Sequence, residues 1–170
     1  MGNMGIRKYG LTIGELKTGR NNLITDVEGV KVGHVTLDKE RIKTGVTAII
    51  PHGGNIFKEK VMAACHVING FGKTIGTIQI EELGNIETPI LLTNTLSVGA
   101  VSEGIIRYMI DNNVDIGDTT GTINPVVCEC NDGYLNDIRQ LEVKSHHAIE
   151  AINNAATAKV FLFINNSPFT

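Results

Sequence analysis

The chain has 170 residues, 42% apolar and 19% charged, with a formal charge of −3. That length suits one domain with a sizeable core, and the weak negative charge excludes an electrostatic footing for nucleic acid or an anionic membrane. No apolar run reaches the ~18 residues of a membrane span. Residues 1–8 lack the apolar core of a signal peptide, and Ile6 stands where a myristoylation signal requires Ser or Thr. A soluble cytoplasmic protein is therefore expected. The odd cysteine count, with Cys65 far in sequence from Cys128 and Cys130, predicts free thiols.

Residues 1–25 read as irregular and polar. The alternation over 30–37 and the β-branched run at 45–50, stopped by Pro51, predict two strands, followed by a loop over 52–60. Residues 61–68 are apolar enough for a third strand buried on both faces. A turn at 69–73 precedes 74–83, whose Ile75, Ile78 and Leu83 suit a short helix, although Thr and Ile also favour strands. Another strand is expected at 89–93. A helix follows over 98–112, with Val98, Val101, Ile105, Tyr108 and Met109 on one face and Asn112 and Asn113 as its stop. After a loop at 115–124 comes a strand at 125–130. Ser145 is the expected cap of a last helix with Ala148, Ile149, Ile152 and Ala156 on its buried face. Strands alternating with helices predict a mixed α/β structure. The tail from Lys159 is a dense apolar run of different character, readable as a core strand or as sequence foreign to the fold.

The richest segment is 125–137. An apolar β-branched stretch runs directly into Glu129, Asn131 and Asp132, a placement in which rigid backbone holds polar groups ready to grip a substrate. The competing reading is a polar turn, because Asn131-Asp132-Gly133 is a strong turn signal. Asn94 reads equally as a pocket wall or as a helix cap. Asn69, beside Gly70 and Gly72, reads either as a close approach to a ligand or, more simply, as a tight turn. Cys128 and Cys130 share a face of an extended strand. Without a second ligand pair at typical spacing, however, no metal site is expected, and no cofactor. His146 and His147 fit an exposed helix start rather than a ligand pair.

Six blocks in order carry a resemblance: NLITDVEGVKVGHV at 22–35, TGVTAI at 44–49, ACHVINGFG at 64–72, ELG at 82–84, TPILLTNTLSVG at 88–99 and ECNDGYLND at 129–137. Together they resemble the aminopeptidases of the DmpA type, the P1-family peptidases that include L-aminopeptidase/D-esterases and β-aminopeptidases, over about residues 10–157. The resemblance implies a four-layer α-β-β-α sandwich with mixed sheets, incomplete in this chain. It also implies a precursor that cuts itself before a serine, whose freed α-amino group then serves as the base for its own hydroxyl. Such enzymes remove N-terminal residues from short peptides, amides and esters without a metal, as homo-oligomers. The catalytic serine and an oxyanion-hole asparagine are expected downstream of residue 157, so no catalytic residue is assigned here.

Residues 1–158 are thus expected to be the N-terminal portion of such a domain, cut short by a frameshift or premature stop, and 159–170 a non-matching tail. The substrate-binding candidates are Glu129, Asn131, Asp132, Asn94 and Asn69, with Glu129 facing the substrate amine. The expected partners are a small peptide or amide substrate and the missing segment of the same precursor. A non-catalytic binding or assembly subunit of this fold, or a related acyltransferase, is the alternative.

Overall fold

A computed structural model describes residues 9–68 and 70–157. Strand β1 (Lys31–Lys39) and strand β2 (Ile42–Ile50) form an antiparallel hairpin in register from Lys31↔Ile50 to Lys39↔Ile42. Two short strands follow, β3 (Val61–Met62) and β4 (Asn85–Ile86), which pair only with each other. Helix α1 (Thr77–Leu83) lies between them in sequence. Strand β5 (Ile90–Asn94) lies antiparallel to β2, and strand β6 (Val126–Cys130) lies parallel to β5. The main sheet therefore has the order β1-β2-β5-β6. The parallel pair needs a crossover, which helix α2 (Val98–Asn112) provides. Helix α3 (Ser145–Asn153) is the last element among the described residues.

Both long helices lie on one face of the sheet. Gly33, Ala48, Leu91 and Val127 are successive partners across the four strands, and the last three are fully buried beneath the helices. Glycine is required at Gly33 because a Cβ there would come within 2.1 Å of the Ala151 carbonyl of α3. Gly104 of α2 meets the same constraint, since its Cβ would fall 2.3 Å from the Ser145 carbonyl. The two helices can thus approach closely, and Val98, Val101, Ile105 and Met109 pack inward with Ala148, Ala151 and Ile152. The α2 face matches the expected one, with Tyr108 packed at its margin. Asn113 stops the helix: its side-chain amide donates to the Met109 carbonyl at 2.9 Å.

The opposite face carries Thr47, Leu92 and Cys128, the next residue along each strand. The irregular stretches 63–68 and 70–76 cover part of that face beside β6, and Leu92 stays exposed.

Four expectations change. Residues 61–68 are not a buried strand: only Val61 and Met62 pair, and Met62 is 91% exposed. A run of apolar residues becomes a strand only where a neighbouring strand is available, and β4 offers two residues. The 74–83 helix starts at Thr77, because Ile75 instead bridges Val127 at the outer edge of β6. Ser145 is the first helical residue rather than the cap. Lys144 precedes it, and the Lys144 N–H donates to His147 Nδ1 at 3.0 Å. Ala156 lies beyond α3 and bridges Val32 on β1, where the strand edge competes for its backbone. The tail 159–170 and Asn69 lie outside the described residues.

Candidate active site

Glu129 lies near the carboxyl end of β6, next to the start of the α2 crossover. In parallel α/β arrangements that end of the strand is where ligands bind. The Thr95 hydroxyl donates to Glu129 Oε2, and the Lys73 backbone N–H approaches Oε1 at 3.4 Å. These donors fix the orientation of the carboxylate without neutralising it. Among the described residues no cation forms an ion pair with Glu129. The Lys73 ammonium turns away, bonding the Phe71 carbonyl at 2.5 Å and lying over the Phe71 ring.

Glu129 opens into a cavity of about 610 Å³, lined also by His66, Phe71, Lys73, Thr95 and Asn131. That volume is in the range of small-molecule sites. A half-buried carboxylate, already held in place and unpaired with a cation, is suited to receive an ammonium group.

The other candidates divide. Asn131 reaches the cavity wall, but its Oδ1 also accepts the Gly133 N–H at 2.9 Å, closing a turn. The strand ends at Cys130, so Asn131 does not continue its alternation. Asp132 accepts the Asn136 side-chain amide at 3.1 Å, while Asn136 Oδ1 accepts the Lys43 N–H at 3.0 Å. This pins the loop after β6 to β2. Tyr134 is fully exposed. Asn94 is 5% exposed and its amide is engaged at both ends: Oδ1 accepts the Ser97 N–H at 3.1 Å and Nδ2 donates to Thr44 Oγ1 at 2.8 Å. Asn94 therefore sets the strand-to-helix corner that presents Thr95 to Glu129. Sequence reasoning missed Thr95, Lys73 and Phe71. Thr95 directly follows a flagged Asn in one of the shared blocks, and Phe71 lies inside another; the block order was the available signal.

A second cavity of about 510 Å³ adjoins the first, with His66, Ile68, Gly72 and Thr74 lining both. Cys65 and Cys128 line only the second. Burial pushes the Cys128 thiol up, and nearby Cys65 adds to this. Cys65 is raised by desolvation and by the Glu81 carboxylate. Both thiols are thus neutral, apolar surface near neutral pH. Among the described residues no three His, Cys, Asp or Glu side chains gather to hold a metal, and no helix is long and apolar enough to cross a membrane.

At the opposite, amino ends of β5 and β6, Glu87 is 4% exposed, pairs with Lys60, and accepts the Asn124 N–H at 3.0 Å. Asn124 continues to Gln79 of α1 at 2.7 Å, and Gln79 to Asn85 of β4 at 3.1 Å. This partly buried polar chain ties α1 and β4 to the start of the strand that carries Glu129.

A two-helix layer on a mixed sheet is also found in solved structures. The structure of l-aminopeptidase d-ala-esterase/amidase from Ochrobactrum anthropi, a prototype of the serine aminopeptidases and a variant of the Ntn-hydrolase fold, superposes with a TM-score of 0.77 at 34% identity, covering 89% of this chain and 44% of that one. The PH0078 protein from Pyrococcus horikoshii OT3 superposes with a TM-score of 0.87 at 55% identity, covering 91% of this chain and 46% of that one. The beta-peptidyl aminopeptidase BapA of Sphingosinicella microcystinivorans is 39% identical over 153 residues, 85% of this chain and 37% of its own length. The fold is thus mixed α/β, of the Ntn-hydrolase type seen in DmpA-like aminopeptidases. The profile of peptidase family S58 matches residues 22–162, and the chain belongs to that family. It spans less than half the length of these relatives.

Proposed function

We propose that this chain forms the substrate-amine wall of a self-processing serine aminopeptidase that releases N-terminal residues from short peptides, amides or esters. The observation that carries this reading is Glu129, oriented by Thr95 and Lys73 at a cavity of about 610 Å³ with no cation paired to it among the described residues. Glu129 receives the substrate's ammonium group. Asn131 contributes to the cavity wall. Asp132 and Asn94 position the loop and the corner around it, and Asn69 is kept as a substrate-binding candidate from its place in the sequence. Residues 1–158 are assigned to the aminopeptidase domain and 159–170 to a segment outside it.

The nucleophile in this reading is a serine of a second segment, exposed as an N-terminal residue by self-cleavage. Its α-amino group, with an ordinary pKa near 7.7–8.0, takes the hydroxyl proton as Oγ attacks the scissile carbonyl. The departing amine or alcohol takes that proton as the C–N or C–O bond breaks, and water then hydrolyses the acyl-enzyme and returns the serine hydroxyl. In this reading the second segment joins the first as one unit of a homo-oligomer in the cytoplasm, and the 170 residues alone are inactive.

The test is complementation. The 170-residue chain should not hydrolyse aminoacyl p-nitroanilides. Joined at residue 157 to the corresponding second half of the P. horikoshii relative, it should cleave itself and turn over those substrates. Chelator-resistant saturable turnover by the 170 residues alone would refute the division of labour, and a folded, joined protein that neither cleaves itself nor turns over substrate would refute the assignment.

A further inference from the structure

We propose that the apolar cavity adjoining Glu129 is the pocket for the side chain of the substrate's N-terminal residue, and that it selects aliphatic and aromatic residues over glycine and alanine. This rests on the reading of Glu129 as the ammonium receptor. The two cavities share His66, Ile68, Gly72 and Thr74, so a ligand whose ammonium meets Glu129 has a direct path into the second space. In an amino-acid residue the ammonium and the side chain diverge from one or two carbons, which matches two pockets with a common wall.

The second pocket is built from three directions. Ile90, Val126 and Cys128 of the sheet form one side, Ile80 of α1 and Ile86 of β4 another, and segment 63–68 the third. Ile80, Ile86 and Val126 are buried at its base, whereas Val67 and Ile68 are exposed at its rim. Among the described residues no acidic or basic side chain other than His66 lines it, and both of its thiols are held neutral. A charged side chain entering here would lose hydration against a mainly apolar lining, whereas an apolar one gains from burial. The volume of about 510 Å³ has room for leucine or phenylalanine.

The cysteines make the inference measurable without turnover. Cys65 and Cys128 line the apolar pocket, whereas Cys130 lines the Glu129 cavity. The chain is alkylated with N-ethylmaleimide in the presence of leucinamide or glycinamide, and each thiol is followed by mass spectrometry. Both amides should slow Cys130, because both carry the ammonium. Leucinamide alone should slow Cys65 and Cys128, by about tenfold or more at saturation, in line with the discrimination that apolar pockets achieve. If both amides slow Cys130 and neither slows Cys65 or Cys128, the pocket assignment fails and the Glu129 reading stands. If leucinamide slows Cys65 and Cys128 while Cys130 is unchanged, the pocket stands and the ammonium role fails. No slowing at any thiol overturns both.

Reaction of Cys128 as fast as the exposed Cys130 reports an unfolded chain. The same measurement is then made on the joined protein, which also admits a second variant. Ala64→Phe, which fills the pocket from its rim, should lower the leucine-to-alanine ratio of kcat/KM about tenfold. An unchanged ratio in the folded variant would count against the pocket.

Discussion

At the residue scale, two histidines set a pH dependence. Burial holds His34 below its ordinary value near 6.5, with Nδ1 2.8 Å from Thr47 Oγ1. Burial also lowers His147; His146 and Lys144 lower it further, against Glu150 and Glu142. Its Nδ1 accepts the Lys144 N–H, a bond that requires the unprotonated nitrogen. The unfolded imidazoles therefore take up protons at higher pH than the folded ones. The stability from keeping them neutral is complete above about pH 7 and is lost as pH falls through about 6.5. The urea midpoint of the joined protein should be flat from about pH 8 to 7 and decline toward pH 5, and His34→Gln should shallow that decline. An identical profile in the variant would remove His34 from the account. The same scale shows what the sequence conveyed about the site. The strand-to-polar transition at 125–137 drew attention to Glu129, which lies beside a cavity at the end of β6. The role of Asn94 was undecidable from sequence, since a cap and a pocket wall use the same side chain. Only the Ser97 and Thr44 contacts assign it to the corner.

At the element scale, the β1–β2 hairpin carries identifiable strain. Glu40 has φ of 50°, a left-handed conformation that costs a non-glycine residue about 1 kcal/mol and that asparagine tolerates better. Glu40→Asn should raise the stability of the joined protein by about 0.5–1 kcal/mol, and an unfolding curve shifted to lower denaturant would contradict this. The α2–α3 contact permits the opposite change. Gly104→Val places a branched side chain against the Ser145 carbonyl and the Ala148 methyl, at a cost of roughly 1–3 kcal/mol or more by overpacking. A denaturation midpoint equal to that of the parent would mean the helices have room to separate. Elements with strong periodicity were legible: α2 has its expected bounds, and four strands lie where alternation and β-branching put them. The 61–68 segment was not, because an apolar run is the same signal whether it pairs as a strand or crosses the sheet surface as the wall of a cavity.

At the scale of the whole molecule, the described residues cover one face of the sheet with α2 and α3, and the other face beside β6 alone. Leu92, Leu96, Met62, Ile68 and Phe71 are exposed. Such a surface favours association, so the 170-residue chain should unfold broadly and sediment heterogeneously, while the joined protein melts sharply. A monodisperse 170-residue monomer with a steep transition would contradict this. The resemblance was legible at this scale because six separate blocks kept their order, which no single motif could convey. Whether Glu129 holds the substrate's ammonium group is decided by Glu129→Gln in the joined, self-processed protein. Loss of a charge-assisted contact of roughly 1.5–3 kcal/mol should lower kcat/KM for aminoacyl substrates about ten- to a hundredfold and leave self-cleavage nearly unchanged, since the precursor presents no free amine there. An unchanged kcat/KM in the folded, fully processed variant, or equal loss of cleavage and turnover, would contradict the assignment.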